Sequence, residues 1–164
     1  SLLSGISATD WSWSPLFADF DNDGNKDLSI TSGVFQRPID MDYVMFSSNI
    51  QRQQFEDGST NFLPEIEKMP EGSSNPFFFK GDGHLNFKNV SKEWGTENIV
   101  GYFTGSAHAD LDNDGDMDLI ISSSNDEPVV LKNNAPRKNF IQLSFSGNSP
   151  NTKGIGVKAY LFAK

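Results

Sequence analysis

The sequence predicts a mainly all-β fold with a partly helical insertion. Three observations predict it: an aspartate-rich loop motif occurs twice, short β-branched or aromatic runs flank both copies, and a hairpin signature lies between the copies. Together these segments form two units of four strands in tandem, which is typical of β-propeller blades. The expected architecture is therefore about two four-stranded blades, in a chain of 164 residues that is about one domain long.

The two loop motifs share one pattern of acidic residues. They read DFDNDGNKD at residues 19–27 and DLDNDGDMD at residues 110–118, so they lie 91 residues apart. Acids occupy positions 1, 3, 5 and 9 of both loops and glycine occupies position 6, whereas position 7 is Asn25 in one loop and Asp116 in the other. Such crowding of like charge is unfavourable unless a cation neutralises it. Alternate oxygens can face one centre, and the glycine permits a turn that brings the position 7 carbonyl inward.

These oxygen ligands favour calcium over other metals. Neither loop contains His or Cys, and hard oxygen donors at flexible spacing suit calcium better than zinc or copper. An EF-hand is excluded because position 12 is Ile30 or Ile121 instead of Glu, and strand-like runs follow where a helix would be needed. A solvated acidic turn is the alternative, but two copies of one pattern disfavour it. The predicted cofactor is calcium, with two ions per chain.

The first predicted unit covers residues 1–98, and its first two strands enclose the first loop. The runs on either side of this loop read SPLFA and DLSITS. Pro15 in the first run fits the innermost edge strand of a blade, because an edge position tolerates a missing N–H. The third and fourth strands form a predicted hairpin at residues 75–90, with the sequence NPFFFKGDGHLNFKNV.

An insertion at about residues 34–74 separates the second and third strands of this unit. A helix is predicted there, with Pro38 in its first turn, because apolar side chains recur at helical spacing at Ile39, Tyr43, Phe46 and Ile50. The stretch 56–74 is rich in Gly, Ser, Pro and Glu, which predicts a loop. The second unit covers residues 99–147, and the strands predicted after its loop lie in DLIISS, EPVVLKNNA and NFIQLSFSG.

The segments around the loops resemble a known family. Similarity to the FG-GAP or VCBS repeats of integrin α-subunit propellers and of many bacterial surface proteins is found in FADFDNDGNKDLSI and AHADLDNDGDMDLII. The wider chain resembles the cartilage acidic protein-like group, which carries an ASPIC/UnbV module after its repeats, in WSWSPLFADFDNDGNKDL, NPFFFKGDGHLNFKNVSKEWG and NDEPVVLKNNAPRKNFIQLSFSGNSPNTKGIGVKAY. Residues 148–164 look like the truncated start of that module.

The resemblance implies a complete set of calcium ligands in each loop. Aspartate side chains supply positions 1, 3, 5 and 9, and the backbone carbonyl supplies position 7. The implied set in the first loop is Asp19, Asp21, Asp23, the carbonyl of Asn25 and Asp27. The implied set in the second loop is Asp110, Asp112, Asp114, the carbonyl of Asp116 and Asp118.

The charge balance excludes some partners. The net charge is −9, but the two loops contain nine of the 22 acids, and the remaining acids balance the 13 Lys and Arg residues. With no basic stripe, nucleic-acid binding is disfavoured. No apolar run approaches the length of a membrane span, and without cysteine there is neither a disulfide framework nor a thiolate site.

Residue chemistry outside the loops favours a binding module over an enzyme. His84 is expected in solvent and His108 beside a strand, and no nucleophile motif accompanies them. Trp11, Trp13 and Trp94 are predicted to pack between blades, with an exposed aromatic surface for a sugar or protein as the alternative.

The predicted function is that of a calcium-binding β-propeller fragment of a larger extracellular or cell-surface protein. It is not expected to be an enzyme. The expected role is that of a binding, adhesion or structural module for an unknown protein or glycan ligand. The alternative is the non-catalytic part of a carbohydrate-active hydrolase or lyase, with the active site in further blades. Two blades cannot close a ring, so self-association through open blade edges is also expected.

Overall fold

The computed structural model describes residues 2–58, 69–136, 141 and 143–162. A short 3-10 helix at Leu2–Ser4 begins this part of the chain, which is otherwise mainly β and contains two antiparallel sheets of four and three strands. The strands and the single α-helix within it are, in chain order, β1 (Ser12–Ala18), β2 (Asp27–Ser32), α1 (Met41–Asp57), β3 (Phe77–Gly81), β4 (Phe87–Asn89), β5 (Phe103–Ala109), β6 (Asp118–Ser123) and β7 (Val129–Leu131).

The first sheet is an antiparallel meander in the order β1-β2-β3-β4. Its four strands fall where the sequence predicts them. In the first pair, Leu16 lies opposite Ser29 and Ala18 opposite Asp27, and the register shifts between Ser12 and Pro15. Pro15 thus lies on an edge strand beside an irregularity in the pairing, where its missing N–H is tolerated. The prediction of an edge position for this proline is confirmed.

The second sheet has the order β5-β6-β7, and its first pair matches the first pair of the other sheet. Strands β1 and β5, and likewise β2 and β6, begin and end 91 residues apart, as from Ser12 to Phe103. The register is also the same, because Ala109 lies opposite Asp118 and the shift falls between Phe103 and Ser106. The two aspartate-rich loops therefore connect equivalent pairs of strands, β1 to β2 and β5 to β6.

The fourth strand expected in the second unit does not form among the described residues. Residues 141 and 143–147 of NFIQLSFSG have no strand structure, and residues 139, 140 and 142 lie outside the part that the structure describes. β7 has only three residues and lies between Pro128 and Pro136, so it offers little ladder for a further strand. Side chains of the expected strand are accordingly exposed, namely Ile141, Leu143 and Phe145.

One apolar cluster joins the two sheets. Side chains from both sheets meet in it, and Trp94 packs against it; its buried members are Ala18, Phe20, Phe78, Val90, Phe103, Leu119 and Ile121. Strand β2 is buried along its whole length because both of its faces are covered. On one face Leu28 and Ile30 pack with Phe79. On the other face Thr31 donates its hydroxyl proton to the carbonyl of Thr104 at 3.1 Å, so small polar side chains bring the sheets close together.

The insertion contains the predicted helix, which begins later than expected. Asp40 caps α1, since its Oδ1 accepts the N–H groups of Asp42 (3.1 Å) and Tyr43 (3.2 Å). Pro38 therefore precedes the helix and is not in its first turn, which corrects that prediction. The helix continues to Asp57, so residues 56 and 57 of the expected loop are helical, and residues 59–68 lie outside the described part.

The ends of the insertion are held together by backbone hydrogen bonds. The N–H of Val34 donates to the carbonyl of Gly72, and the N–H of Arg37 donates to that of Pro70, both at 2.8 Å. The insertion thus leaves and rejoins the first sheet at one place. Within the described ranges, no helix has both the length and the apolar character needed to cross a membrane.

Candidate metal centre

The first aspartate-rich loop is folded by its own carboxylates. Asp19 accepts the N–H of Asp23 on Oδ1 (3.0 Å) and that of Gly24 on Oδ2 (2.9 Å). Asp21 also accepts the N–H of Asp23, at 3.1 Å. Asn22 and Gly24 have left-handed backbones, with φ of 57° and 93°. Asparagine and glycine tolerate this conformation best, so the sequence curls the loop around the carboxylates.

Asp27 at the end of this loop ties it to the rest of the sheet. Its side chain is fully buried. Oδ2 accepts the N–H of Phe20 at 2.9 Å, and Oδ1 accepts the N–H of Gly81 at 3.0 Å, where β3 ends. Burial raises the pKa of Asp27, while the two backbone donors act in the opposite direction. The carboxylate thus fixes both the start of the loop and the neighbouring strand.

The second loop repeats the contacts made by positions 1 and 9 of the first loop. Asp110 accepts the N–H groups of Asp114 and Gly115, both at 3.1 Å. Asp118 accepts the N–H of Leu111 on Oδ2 (2.9 Å) and that of Asn133 on Oδ1 (2.8 Å). The left-handed residues recur as well, at Asn113 (φ 60°) and Gly115 (φ 95°).

In each loop the structure brings three of the predicted aspartates together. One oxygen from each carboxylate lies within 4.8 Å of the others, in the triads Asp19–Asp21–Asp27 and Asp110–Asp112–Asp118. Position 5 lies outside both of these triads. In the first loop Asp23 uses Oδ1 to accept the N–H of Asn25 at 2.8 Å. Predicted positions 1, 3 and 9 therefore converge in both loops. Position 5 is held by the backbone in the first loop, whereas in the second loop Asp114 belongs to a further triad with Asp112 and Asp116.

A lysine contacts the position 3 aspartate of each loop, which the sequence analysis missed. Lys80 on β3 forms ion pairs with Asp21 and, at 2.8 Å, with Asp23. Lys132, just after β7, forms the equivalent ion pair with Asp112. Hydrogen bonding to Asp21 raises the pKa of Lys80, and the same bond type from Lys80 lowers the pKa of Asp23. A signal existed: both lysines follow an apolar triplet, in FFFKG and VVLKN.

Asp116 at position 7 of the second loop is a second residue whose role the sequence analysis missed. Only its carbonyl was expected to bind metal, but its side chain is buried, with 4% of the residue exposed. Among the described residues no hydrogen-bond partner reaches its Oδ1. Burial raises the pKa of Asp116 to about 6, and the adjacent Asp114 carboxylate adds to this shift.

The donor set fits a hard divalent cation. Each triad offers only carboxylate oxygens, and oxygens within 4.8 Å of one another can all lie at calcium–oxygen distances of about 2.3–2.6 Å from one ion. Each carboxylate oxygen has two lone pairs, so the bonds from backbone N–H groups leave coordination capacity. The unpartnered Oδ1 of Asp116 adds an acceptor that a cation would satisfy. When bound, the ion would supply positive charge and cross-link the loop.

The remaining candidate residues belong to neither triad. His84 and His108 are exposed, as expected for the first, and His108 lies on β5. Trp94 follows β4 and packs edge-on against Phe20 and Phe78, with ring centroids 6.3 and 5.7 Å apart. These rings line a cavity of about 360 Å³ that Lys132 and Asn133 also border, and that lies between the two loops.

The aromatic pair before the first loop is partly exposed. Trp13 has 49% of its surface accessible, and its Nε1–H donates to the carbonyl of Gly33 at 2.7 Å. Its ring lies 6.5 Å from that of Trp11. The packing role predicted for the tryptophans therefore fits Trp94 best.

Comparison with protein-family models, curated proteins and solved structures gives no match to this chain. The similarity to FG-GAP/VCBS repeats stays a prediction that rests on the two loops and the segments around them.

Proposed function

We propose that this chain is a calcium-binding segment of a β-propeller of the FG-GAP/VCBS type. Each aspartate-rich loop would bind calcium through the converging carboxylates of positions 1, 3 and 9. The observation that carries the proposal is the recurrence of one hydrogen-bond network in two loops that start from equivalent hairpins. A solvated acidic turn would not need a buried aspartate such as Asp27 at the same place in both copies.

Calcium would act on the fold through the position 9 aspartates. Asp27 connects the first loop to Gly81, the last residue of β3. Asp118 connects the second loop to Asn133, which lies just after β7. An ion bound to such a carboxylate neutralises the clustered charge and restrains three segments at once. The proposed role is thus structural, in a module that presents its surface to a protein or glycan partner and has no catalysis of its own.

An extracellular or cell-surface setting suits this role. Calcium is available there at the concentrations that match the weaker class of oxygen-ligand sites, those of extracellular modules. The four-stranded meander and the equivalent second hairpin support assignment of the two sheets as propeller blades. β4 and β7 are the strands at the far edges of these sheets, and we expect self-association through them. Light scattering across a concentration series would test this expectation.

The metal proposal is tested by calorimetric titration of chelator-treated protein with calcium. We expect uptake by both loops, with a rise in melting temperature that magnesium at the same concentration does not reproduce. A ligand at a hundredfold excess over its dissociation constant stabilises the folded state by about 2.7 kcal/mol per site. Asp21→Ala should remove uptake by the first loop only, and Asp112→Ala uptake by the second only. A folded, chelator-treated protein that takes up no calcium would refute the proposal.

A further inference from the structure

The two loops differ at position 7, and the difference lies inside the cluster of acids. In the first loop the side-chain amide of Asn25 hydrogen-bonds to Asp23. In the second loop the equivalent contact joins two acids, Asp116 and Asp114. Ionised carboxylates are acceptors only, so neither can donate to the other. A neutral amide satisfies its aspartate, whereas a second carboxylate leaves two like charges in contact.

Asp116 cannot relieve this repulsion by turning towards water. The residue is 4% exposed, and its Oδ1 has no partner among the described residues. A buried charge without a partner is costly, so such groups are normally paired or bound to metal. Lys132 does not serve as the partner, because its ammonium lies on Asp112. A cation bound at the loop would satisfy the Oδ1 of ionised Asp116.

Oxygens of Asp112, Asp114 and Asp116 converge in a triad of their own. One oxygen from each lies within 4.8 Å of the others, and the oxygens of the Asp110–Asp112–Asp118 triad lie equally close together. Among the described residues, the first loop has only the triad equivalent to the latter. Asp112 belongs to both triads of the second loop, and its carboxylate has two oxygens with which to bridge two ions.

The net charges of the two loops also favour an additional cation in the second loop. The second loop carries five aspartates at positions 1 to 9 and is contacted by one lysine, Lys132, which leaves −4. The first loop carries four aspartates and Lys26 and is contacted by Lys80, which leaves −2. One divalent cation neutralises the first loop, whereas the second loop needs two.

We propose that Asp112, Asp114 and Asp116 form an additional divalent-cation site, so that the second loop binds two calcium ions where the first binds one. This inference rests on the proposed calcium function of the loops. Asp116 binds the additional ion through its side chain, not only through its carbonyl.

The experiment counts calcium ions per chain by equilibrium dialysis and calorimetry. The unaltered protein should bind three ions. Asp116→Asn, which gives the second loop the residue type of the first, should bind two. As a matched control, Asp126→Asn removes an exposed acid outside the loops and should keep three. Two ions in the unaltered protein, or three in Asp116→Asn, would overturn the additional site.

A variant with the first loop disabled isolates the second. Asp21→Ala should keep two ions, and Asp21→Ala combined with Asp116→Asn should keep one. If Asp21→Ala binds only one ion, the inference is also overturned. This result does not depend on whether Asp116→Asn folds. The absence of calcium uptake by both loops of the unaltered protein would instead refute the proposed function, so the two failures are distinguishable.

Discussion

The side-chain amide of Asn133 donates to the backbone carbonyl of Phe20 at 2.6 Å, and so a residue that follows β7 in the second sheet contacts the first aspartate-rich loop. The same amide lies 3.2 Å from the carbonyl of Met117, in the second loop. The backbone N–H of Asn133 donates to Asp118. One residue therefore connects the two candidate metal loops across the boundary between the sheets.

Removal of this side chain should destabilise the protein and uncouple the loops. Asn133→Ala leaves the backbone bond to Asp118 intact but deprives two carbonyls of their donor, which we expect to lower the free energy of unfolding by about 1–3 kcal/mol. Through this contact, calcium binding to one loop should favour binding to the other in the unaltered protein, and Asn133→Ala should lose this cooperativity. Chemical denaturation and calorimetric titration measure these effects. Asn134→Ala, at an exposed neighbour, is the control and should change neither.

Substitution of the position 9 aspartates should weaken the fold even without metal. Asp27→Asn replaces one acceptor oxygen by a donor, which then faces the N–H of Gly81 or Phe20. A buried, unsatisfied donor costs about 1–3 kcal/mol. We expect a loss of that size in chelator, together with loss of calcium uptake by the first loop. Asp118→Asn should do the same in the second loop. Unchanged stability in chelator would show that these bonds do not hold the loops.

The sequence predicted the two hairpins and most of the converging acids because each signal is local. Alternating acids, a glycine at position 6 and β-branched runs determine turn and strand within a few residues, as the identical bounds of the equivalent strands show. The start of α1 was placed too early for a similar local reason. The hydrophobic spacing included Ile39, whereas the capping side chain is Asp40.

What the sequence could not provide depends on contacts between distant segments. Lys80 reaches Asp21 only because β3 pairs with β2, although 59 residues separate the two side chains. The burial of Asp116 likewise follows from the packing of its loop. The sequence shows only that position 7 is an acid, and it does not show whether that side chain is buried or exposed. The fourth strand of the second unit was predicted from the apolar spacing of NFIQLSFSG alone, and its described residues form no strand, because local spacing does not provide a pairing partner.

The insertion should be dispensable for both sheets and for calcium binding. Its ends meet at the bond from Arg37 to Pro70, and among the described side chains of α1 only Tyr43 is buried. Replacement of residues 38–69 by a short Gly-Ser turn should leave calcium stoichiometry unchanged. Since loop closure costs about 0.6 kcal/mol per doubling of length, the melting temperature should stay level or rise. Loss of cooperative unfolding in the shortened protein would show that the helix is part of the core.

Removal of the lysine that contacts the first loop should tighten calcium binding there. The ammonium of Lys80 occupies the carboxylates of Asp21 and Asp23, so a cation must displace it or share them. Lys80→Met removes this competing charge. At an effective dielectric of 40–80, a unit charge about 5 Å from a divalent ion contributes roughly 1.7–3.3 kcal/mol before salt screening, which corresponds to a roughly 15- to 270-fold lower dissociation constant at the low-salt limit.

The same substitution should have the opposite effect when calcium is withheld. Without Lys80 the clustered carboxylates lose their counter-charge, so the melting temperature of Lys80→Met in chelator should fall below that of the unaltered protein. Lys88→Met is the matched control, because Lys88 pairs with Glu93 at 2.6 Å on the surface and contacts neither loop. Calorimetry at low and high ionic strength gives the dissociation constants, and the gain should shrink as salt is raised. If Lys80→Met binds calcium no more tightly than Lys88→Met at low salt, Lys80 does not compete with calcium for the carboxylates of the first loop.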